Sequence, residues 1–200
     1  VIQASGLKAL QNGMSLKKLF EQLEGFREEV SIPVVLMGYI NPVLQFGMEE
    51  FLQACEKVGV DAVILPDLPL DVYEKDYKSL FQKHRVEFVA LVTPETTKER
   101  LEEIDRIASG FIYAVSSSST TGSDQDWEKL DAYFMNLRDS QLKNPVMTGF
   151  GVKDKASFEK ASRYTNGAII GTAFIKQLSE NKDNLEEAVK SFVGGILEEN

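Results

Sequence analysis

Two glycine clusters near the C-terminal end of the sequence are the strongest candidates for chemistry. Gly149-Phe150-Gly151 follows the apolar run 145–148, and Gly171-Thr172 follows the apolar run 168–170. Glycines let backbone N–H groups approach an anion closely, and the hydroxyl of Thr172 adds a donor. A helix beginning there would direct the positive end of its dipole at the same charge. The pattern predicts a phosphate site, although tight turns alone would also explain these glycines.

Other side chains that could do chemistry lie where predicted strands end. Asp67 and Glu95 are natural general acids or bases, but Asp67 sits between two prolines and Glu95 precedes a helix start that it could simply cap. The polar stretch 116–124 predicts a mobile lid, with a flexible linker as the alternative. Tyr39 and Tyr113 could line a pocket for a flat substrate or belong to the core.

The histidine and the cysteine do not indicate a metal site or a nucleophile. His84 is the only histidine and falls near the end of a helix before its strand, which is the wrong end of the strand for catalysis. Cys55 is the only cysteine and occupies an apolar position of a helix, as expected of a packed thiol. The sequence therefore predicts no metal site.

The elements that must position these residues alternate regularly. Six short apolar runs, each followed by a segment of helical periodicity, predict parallel strands in an α/β fold. Polar clusters after nearly every strand, and the lack of GxGxxG after the first, favour a (β/α) barrel over a doubly wound sheet. The predicted strands are 33–39, 62–66, 88–92, 111–115, 145–148 and 168–170.

The predicted helices follow from capping residues and the 3.6-residue period. Ser15 caps a helix over about 15–30, and a capping-box pattern from Thr96 to Glu99 opens a helix over 101–108. Further helices are predicted around 48–58, 73–81, 127–137, 158–161 and 185–196.

The number of predicted strands indicates whether the barrel is complete. A closed barrel of this kind has eight strands, and the chain opens at Val1 with a helix-like segment that no strand precedes. The sequence thus predicts a single, N-terminally incomplete TIM (β/α)8 barrel domain over residues 1–200, with about six of the eight βα units present.

Composition excludes several classes of partner. The formal net charge is -9, with no local run of Lys or Arg, and such a surface repels nucleic acid and anionic lipid. No apolar run approaches the roughly 20 residues that span a bilayer, and no signal peptide opens the chain. We expect a cytoplasmic protein that binds neither nucleic acid nor membranes.

In its order of motifs, the chain resembles the tryptophan synthase alpha subunits. The start of the chain resembles the segment after their second strand, and the two glycine clusters match their phosphate grip. The segments that carry the resemblance are 1–5, 36–42, 55–61, 66–69, 116–122, 149–151 and 171–172. Residues 117–120 depart from it, because Ser-Ser-Ser-Thr replaces an Arg-Ala-Gly-Val type stretch.

The resemblance implies a TIM-barrel lyase of tryptophan biosynthesis. Its reaction is the retro-aldol cleavage of indole-3-glycerol phosphate to indole and glyceraldehyde 3-phosphate. Indole then passes to a beta subunit in an alpha2beta2 heterotetramer, and the alpha subunit needs no cofactor. The family's catalytic Glu, and the Asp that holds the indole nitrogen, would both lie before Val1.

The resemblance also assigns roles to residues of this chain. Thr121 would steady the lid, and Tyr113 would support the indole side of the pocket. The substrate-binding residues would be Tyr39, Gly122, Phe150, Gly151, Gly171 and Thr172. The residues meeting the beta subunit, in loops over 41–46 and 67–70, would include Asn41, Pro42, Phe46, Asp67 and Pro69.

Two other functions fit the residues. Another phosphate-binding barrel enzyme, such as an epimerase or a prenyltransferase, could share the last two loops through the fold alone. A non-catalytic barrel fragment could instead bind and activate a synthase beta subunit. Cleavage of indole-3-glycerol phosphate would separate both from the lyase.

Overall fold

The computed structural model describes residues 1–115, 127–149 and 151–197. Within them, six parallel strands lie in the sheet in their order along the chain, β1-β2-β3-β4-β5-β6. Each strand falls inside a predicted apolar run or extends it by one residue, so the predicted α/β class and strand succession are confirmed. The strands are β1 (Val35–Met37), β2 (Ala62–Ile64), β3 (Glu87–Val92), β4 (Ile112–Ala114), β5 (Val146–Thr148) and β6 (Gly167–Ala168).

Helices precede the first strand and follow every strand. Those before β3 are α1 (Ile2–Gln11), α2 (Leu16–Leu23), α3 (Ile40–Phe46), α4 (Met48–Val58), α5 (Leu70–Val72) and α6 (Lys78–Lys83), with a 3-10 turn at Phe26–Glu28 and a π-helical turn at Tyr73–Tyr77. Those after β3 are α7 (Lys98–Ile107), α8 (Trp127–Asp139), α9 (Lys155–Ser162), α10 (Thr172–Glu180) and α11 (Leu185–Leu197). None of these helices is long and apolar enough to cross a membrane.

Three predicted helical features were wrong in detail. The helix expected over about 15–30 ends at Leu23, because Gly25 adopts a left-handed conformation at φ 77° and a 3-10 turn follows. The cap of α7 is Thr97, whose side chain accepts from Arg100 N at 3.2 Å, whereas the Thr96 hydroxyl accepts from Thr93 N at 2.9 Å. The loop expected over 41–46 is helical, as part of α3.

The chain divides into two compact units. Unit A comprises Leu10–Leu91 and Thr97–Ile112, and unit B comprises Val1–Ala9, Val92–Thr96 and Tyr113–Asn200. That residues 1–200 form a single barrel domain stays a prediction.

The core of unit A lies between the strands and α4 and α6. In register, β1 pairs with β2 (Val35 with Ala62), and β2 pairs with β3 (Ala62 with Glu87). Leu52 and Cys55 of α4 are fully buried. The ring of Tyr73 stacks on that of Phe88, with centroids 3.8 Å apart. The apolar residues whose spacing predicted these helices are thus the ones that pack in the core.

One arginine ties the start of unit A to two strands. The guanidinium of Arg27 donates to the carbonyls of Gly59 (2.8 and 2.6 Å), Val30 (3.1 Å) and Ile32 (2.7 Å), and forms an ion pair with Asp61. Asp61 also accepts from Val34 N at 2.6 Å. Arg27 therefore fixes the segments that enter β1 and β2.

The core of unit B lies between its strands and α8, α9 and α11. Its strands β5 and β6 pair in register, Met147 with Gly167 and Thr148 with Ala168. Phe134 stacks on Tyr164 with ring centroids 6.0 Å apart. Asp154 begins α9 with a capping box in which its side chain accepts from Ser157 N at 2.9 Å. This packing holds the loops after β5 and β6 at one edge of the sheet.

Candidate functional site

The tyrosine of β4 and the glycine that follows β5 form a close pair in unit B. Gly149 N donates to Ala114 O at 3.1 Å, which continues the pairing of the two strands beyond the end of β5. A Cβ at Gly149 would lie 2.2 Å from the Tyr113 hydroxyl oxygen, so only glycine leaves room for this ring. Tyr113 is half-buried, and burial raises the pKa of its hydroxyl. The hydroxyl therefore stays protonated near neutral pH and can serve as a hydrogen-bond donor.

The second glycine cluster begins a helix. Gly171 is the N-cap of α10, and no side chain caps the first turn. The first turn also carries no acidic residue, so no carboxylate of its own occupies the positive end of the helix. A Cβ at Gly171 would lie 3.2 Å from Cδ1 of Ile2, which makes this approach tight. The N–H groups that begin α10 are thus placed as donors for an external anion, beside the hydroxyl of Thr172.

The two clusters follow neighbouring strands. Thr148 and Ala168, the last residues of β5 and β6, are register partners, and Ile169 N donates to Thr148 O at 2.7 Å. Gly151 has φ 50°, a conformation that favours glycine, and a Cβ there would meet no atom within 4 Å. There is thus free space at the Cα of Gly151. Strand pairing brings both clusters to the same edge of the sheet, as the phosphate prediction requires.

The residues expected at a partner face lie in unit A. Asp67, which follows β2, accepts from Ile40 N at 2.9 Å through Oδ1, so it holds the start of α3. Asn41, Pro42 and Pro69 are exposed. Phe46 is half-buried, and its ring lies 5.8 Å from that of Phe20. One hydrogen bond thus connects the start of α3 to the loop after β2, the two regions that the resemblance expects to contact a beta subunit.

Tyr39 differs from Tyr113 in its surroundings. It is the N-cap residue of α3 and is 68% exposed. The Asp67 bond lies at the next residue, Ile40, so the backbone at Tyr39 is anchored while the ring remains accessible. Its assignment to the indole side of the pocket stays a prediction.

The remaining titratable candidates have internal roles. His84 is buried, and its Nδ1 lies 2.8 Å from Oε2 of Glu56. Burial raises the pKa of the Cys55 thiol to about 12. Burial also raises the pKa of Tyr133, and the Glu95 carboxylate raises it further. In the described parts of the chain, no three His, Cys, Asp or Glu side chains are grouped to hold a metal ion.

Several predicted site residues fall in the gaps between the described parts of the chain. Thr121, Gly122 and Phe150, together with the proposed lid over 116–124, lie outside the described residues. Sequence reasoning missed α3 and the bond from Ile40 to Asp67. The sequence did carry a signal for the bond, because an aspartate between two prolines after a strand is a rigid acceptor. It carried none for the contact of Tyr113 with Gly149.

A profile of the family described as "Tryptophan synthase alpha chain" matches residues 1–195. The chain belongs to the tryptophan synthase alpha chain family. The named resemblance is therefore confirmed, and the match does not favour the other barrel enzymes or the non-catalytic fragment.

Individual members of the family are similar along most of the chain. The tryptophan synthase alpha chain of Christiangramia forsetii is 51% identical over 181 residues, which cover 90% of this chain and 71% of that protein. That of Bacteroides thetaiotaomicron is 50% identical over 184 residues, covering 92% and 72%. The Pyrococcus furiosus alpha subunit superimposes with a TM-score of 0.84 at 32% identity, covering 98% of this chain and 79% of that structure. This structural similarity supports the barrel assignment.

Proposed function

We propose that the protein is the alpha component of tryptophan synthase and cleaves indole-3-glycerol phosphate to indole and glyceraldehyde 3-phosphate. The observation that carries this proposal is the family match over residues 1–195. The paired glycine clusters after β5 and β6 support it, because a barrel commonly binds phosphate there. The reaction belongs to tryptophan biosynthesis.

The chemistry is a retro-aldol reaction. The bond between C3 of the indole ring and the glycerol chain breaks, and its electrons return to the ring carbon, which takes up a proton. The hydroxyl of the departing chain loses a proton and becomes the aldehyde carbonyl. The cleavage needs an acid and a base but no cofactor. The resemblance assigns the acid–base step to a glutamate.

Residues of this chain would bind and orient the substrate. Gly151, Gly171 and Thr172 would hold the phosphate through backbone N–H groups and one hydroxyl. Tyr113 and Tyr39 would line the indole side. The expected roles of Gly122 and Phe150 at the phosphate, and of Thr121 in steadying the lid, complete the proposed site.

We also infer an alpha2beta2 assembly with the synthase beta subunit, in the cytoplasm. Asn41, Pro42 and Phe46 of α3, with Asp67 and Pro69, would form the face that meets this partner. The exposure of Asn41, Pro42 and Pro69 supports this role.

A comparison of two substrates tests the phosphate assignment. We expect indole-3-glycerol phosphate to be cleaved much faster than the same molecule without its phosphate. Thr172→Val removes one donor to the phosphate, so it should reduce the ratio of the two cleavage rates on the order of 10-fold. Ser179→Ala, at the far end of α10, is the matched control. Equal cleavage of both substrates by the wild-type protein would contradict the assignment.

A further inference from the structure

A cleft with a mixed polar and apolar lining opens in unit A at the amino-terminal end of β3. Its volume is about 340 Å³, within the range of small-molecule sites. Buried Tyr73, Phe81 and Ile107 contribute its apolar surface, and Lys78, Arg85 and Glu87 contribute charge. The proposed chemistry belongs to the carboxyl-terminal ends of the strands, so it makes no use of this cleft.

Within the described residues, the two cations that line the cleft form no close ion pair, although Lys78 interacts electrostatically with Glu74. Within residues 1–115, 127–149 and 151–197, neither Lys78 nor Arg85 has a carboxylate oxygen within 4.0 Å. Elsewhere in unit A, Arg27 and Arg106 each form an ion pair. Among the residues that line the cleft, the two cations Lys78 and Arg85 outnumber the one carboxylate, Glu87.

Arg85 occupies a backbone position that favours glycine. Its φ is 54°, and Val86 N donates to Phe81 O at 3.1 Å, closing the end of α6. The preceding helix α4 ends in the same way, with Val60 N donating to Cys55 O at 2.9 Å, but there the left-handed residue is Gly59 at φ 87°. The turn after α6 thus has a strained arginine at the position where the turn after α4 has a glycine. The only described bond of Arg85 is from its backbone N–H to Gln82 O at 3.2 Å.

A π-helical turn forms another side of the cleft. It spans Tyr73–Tyr77, directly before Lys78, and such turns occur frequently at functional sites. The turn is held from α7 by Arg106, which bonds Glu74 at 2.7 Å and 3.3 Å. Both irregular backbone features of α5–α6 therefore border the same cleft.

We propose that this cleft binds a small organic anion, a carboxylate carried on an apolar body, with Arg85 as its principal anchor and Lys78 as a second cation. The apolar body would lie against Tyr73, Phe81 and Ile107. Glu87 disfavours ligands with several negative charges, so a monocarboxylate fits better than a phosphate ester.

Two probes of the same shape and opposite charge test the proposal. We would titrate the ¹⁵N-labelled protein with 3-phenylpropionate and with 2-phenylethylamine and follow the amide resonances. We expect saturable binding of the carboxylate, with shifts at Tyr73, Phe81 and Val86, and binding of the amine on the order of 10-fold weaker or absent. Equal binding of both probes, no saturable binding, or shifts centred on Gly151 and Gly171 would overturn the proposal.

A substitution that suits the backbone separates binding from folding. Arg85→Gly removes the anchor but relaxes the left-handed strain, so the urea midpoint should stay level or rise while affinity for 3-phenylpropionate falls at least about 10-fold. Gln141→Gly is the matched control, because Gln141 is also left-handed at φ 48° and does not line the cleft. Unchanged affinity in Arg85→Gly would show that Arg85 serves only the end of α6, and the proposal would fail.

Discussion

At the scale of single residues, the contact of Tyr113 with Gly149 is the most restrictive feature of the site. A methyl group at position 149 would overlap the tyrosine ring, with a Cβ 2.2 Å from its hydroxyl oxygen and 2.5 Å from Cε2. Both atoms belong to the Tyr113 ring system, so the ring itself must shift to make room for a side chain at position 149. The orientation of Tyr113 therefore depends on the absence of a side chain one strand away.

We predict that Gly149→Ala lowers kcat/KM for indole-3-glycerol phosphate on the order of 10-fold by displacing Tyr113. In the Tyr113→Ala background, Gly149→Ala should lower kcat/KM little further, because the ring that a Cβ at position 149 would overlap is absent. Gly195→Ala in α11, where a Cβ meets nothing within 4 Å, should leave kcat/KM unchanged. A double-mutant cycle with steady-state kinetics measures the coupling, and additive effects would refute the contact.

The buried thiol of Cys55 predicts a pH dependence of stability. Its pKa rises from 9.0 to about 12 on folding, so the folded state favours the neutral form. The stabilisation is complete below pH 9 and declines as pH rises towards 12, by up to about 1.4 kcal/mol per pH unit. Urea unfolding of the wild type and of Cys55→Ala at pH 8 and pH 10 tests this. The wild type should lose more free energy of unfolding over that interval, and parallel losses would count against the prediction.

At the scale of elements, Arg27 secures the entrance to two strands. Lysine cannot reproduce its planar set of donors, so Arg27→Lys should lower the free energy of unfolding by about 1–3 kcal/mol. Arg100→Lys, which alters an exposed pair with Glu103 on α7, should change it by less than about 0.5 kcal/mol. Urea denaturation compares the two variants. A similar small effect in both would mean that the carbonyl bonds of Arg27 contribute little.

The bond from Ile40 N to Asp67 connects α3 to the loop after β2. Asp67→Ala and Asp154→Ala each remove a carboxylate that accepts from a helix start, and each should cost about 1 kcal/mol of stability. Only Asp67→Ala should reduce the stimulation of indole release by added beta subunit, because only Asp67 lies in the proposed partner face. Equal stimulation of both variants would exclude this positioning role.

Sequence reasoning placed some elements more accurately than others. The strands were predictable because buried parallel strands are short apolar runs, and 88–92 differs from the observed β3 by one residue. The helix predicted over about 15–30 was too long, because the periodicity of apolar residues does not reveal the left-handed conformation of Gly25. The helix α3 was missed because the resemblance treats its segment as a loop and its apolar spacing covers only two turns.

At the scale of the whole molecule, the sequence allowed the shared sheet edge of the two glycine clusters to be predicted, but not the side-chain contacts there. Gly151 and Gly171 follow strands wherever those strands lie, so the edge they share could be inferred from the order of elements. The distance between a Cβ at Gly149 and the Tyr113 hydroxyl depends on register and side-chain rotamers, which no local pattern specifies. The sequence marked Asp67 as a rigid acceptor, but only the fold identifies its donor, since Ile40 lies 27 residues away.

The central claim is that a protein of the tryptophan synthase alpha chain family carries out the lyase reaction. The most direct test is to measure indole release from indole-3-glycerol phosphate by the purified full-length protein, with and without a tryptophan synthase beta subunit. We predict indole in both samples and faster release when the beta subunit is present. A well-folded protein that releases no indole in either sample would contradict the account, even if the beta subunit bound to it.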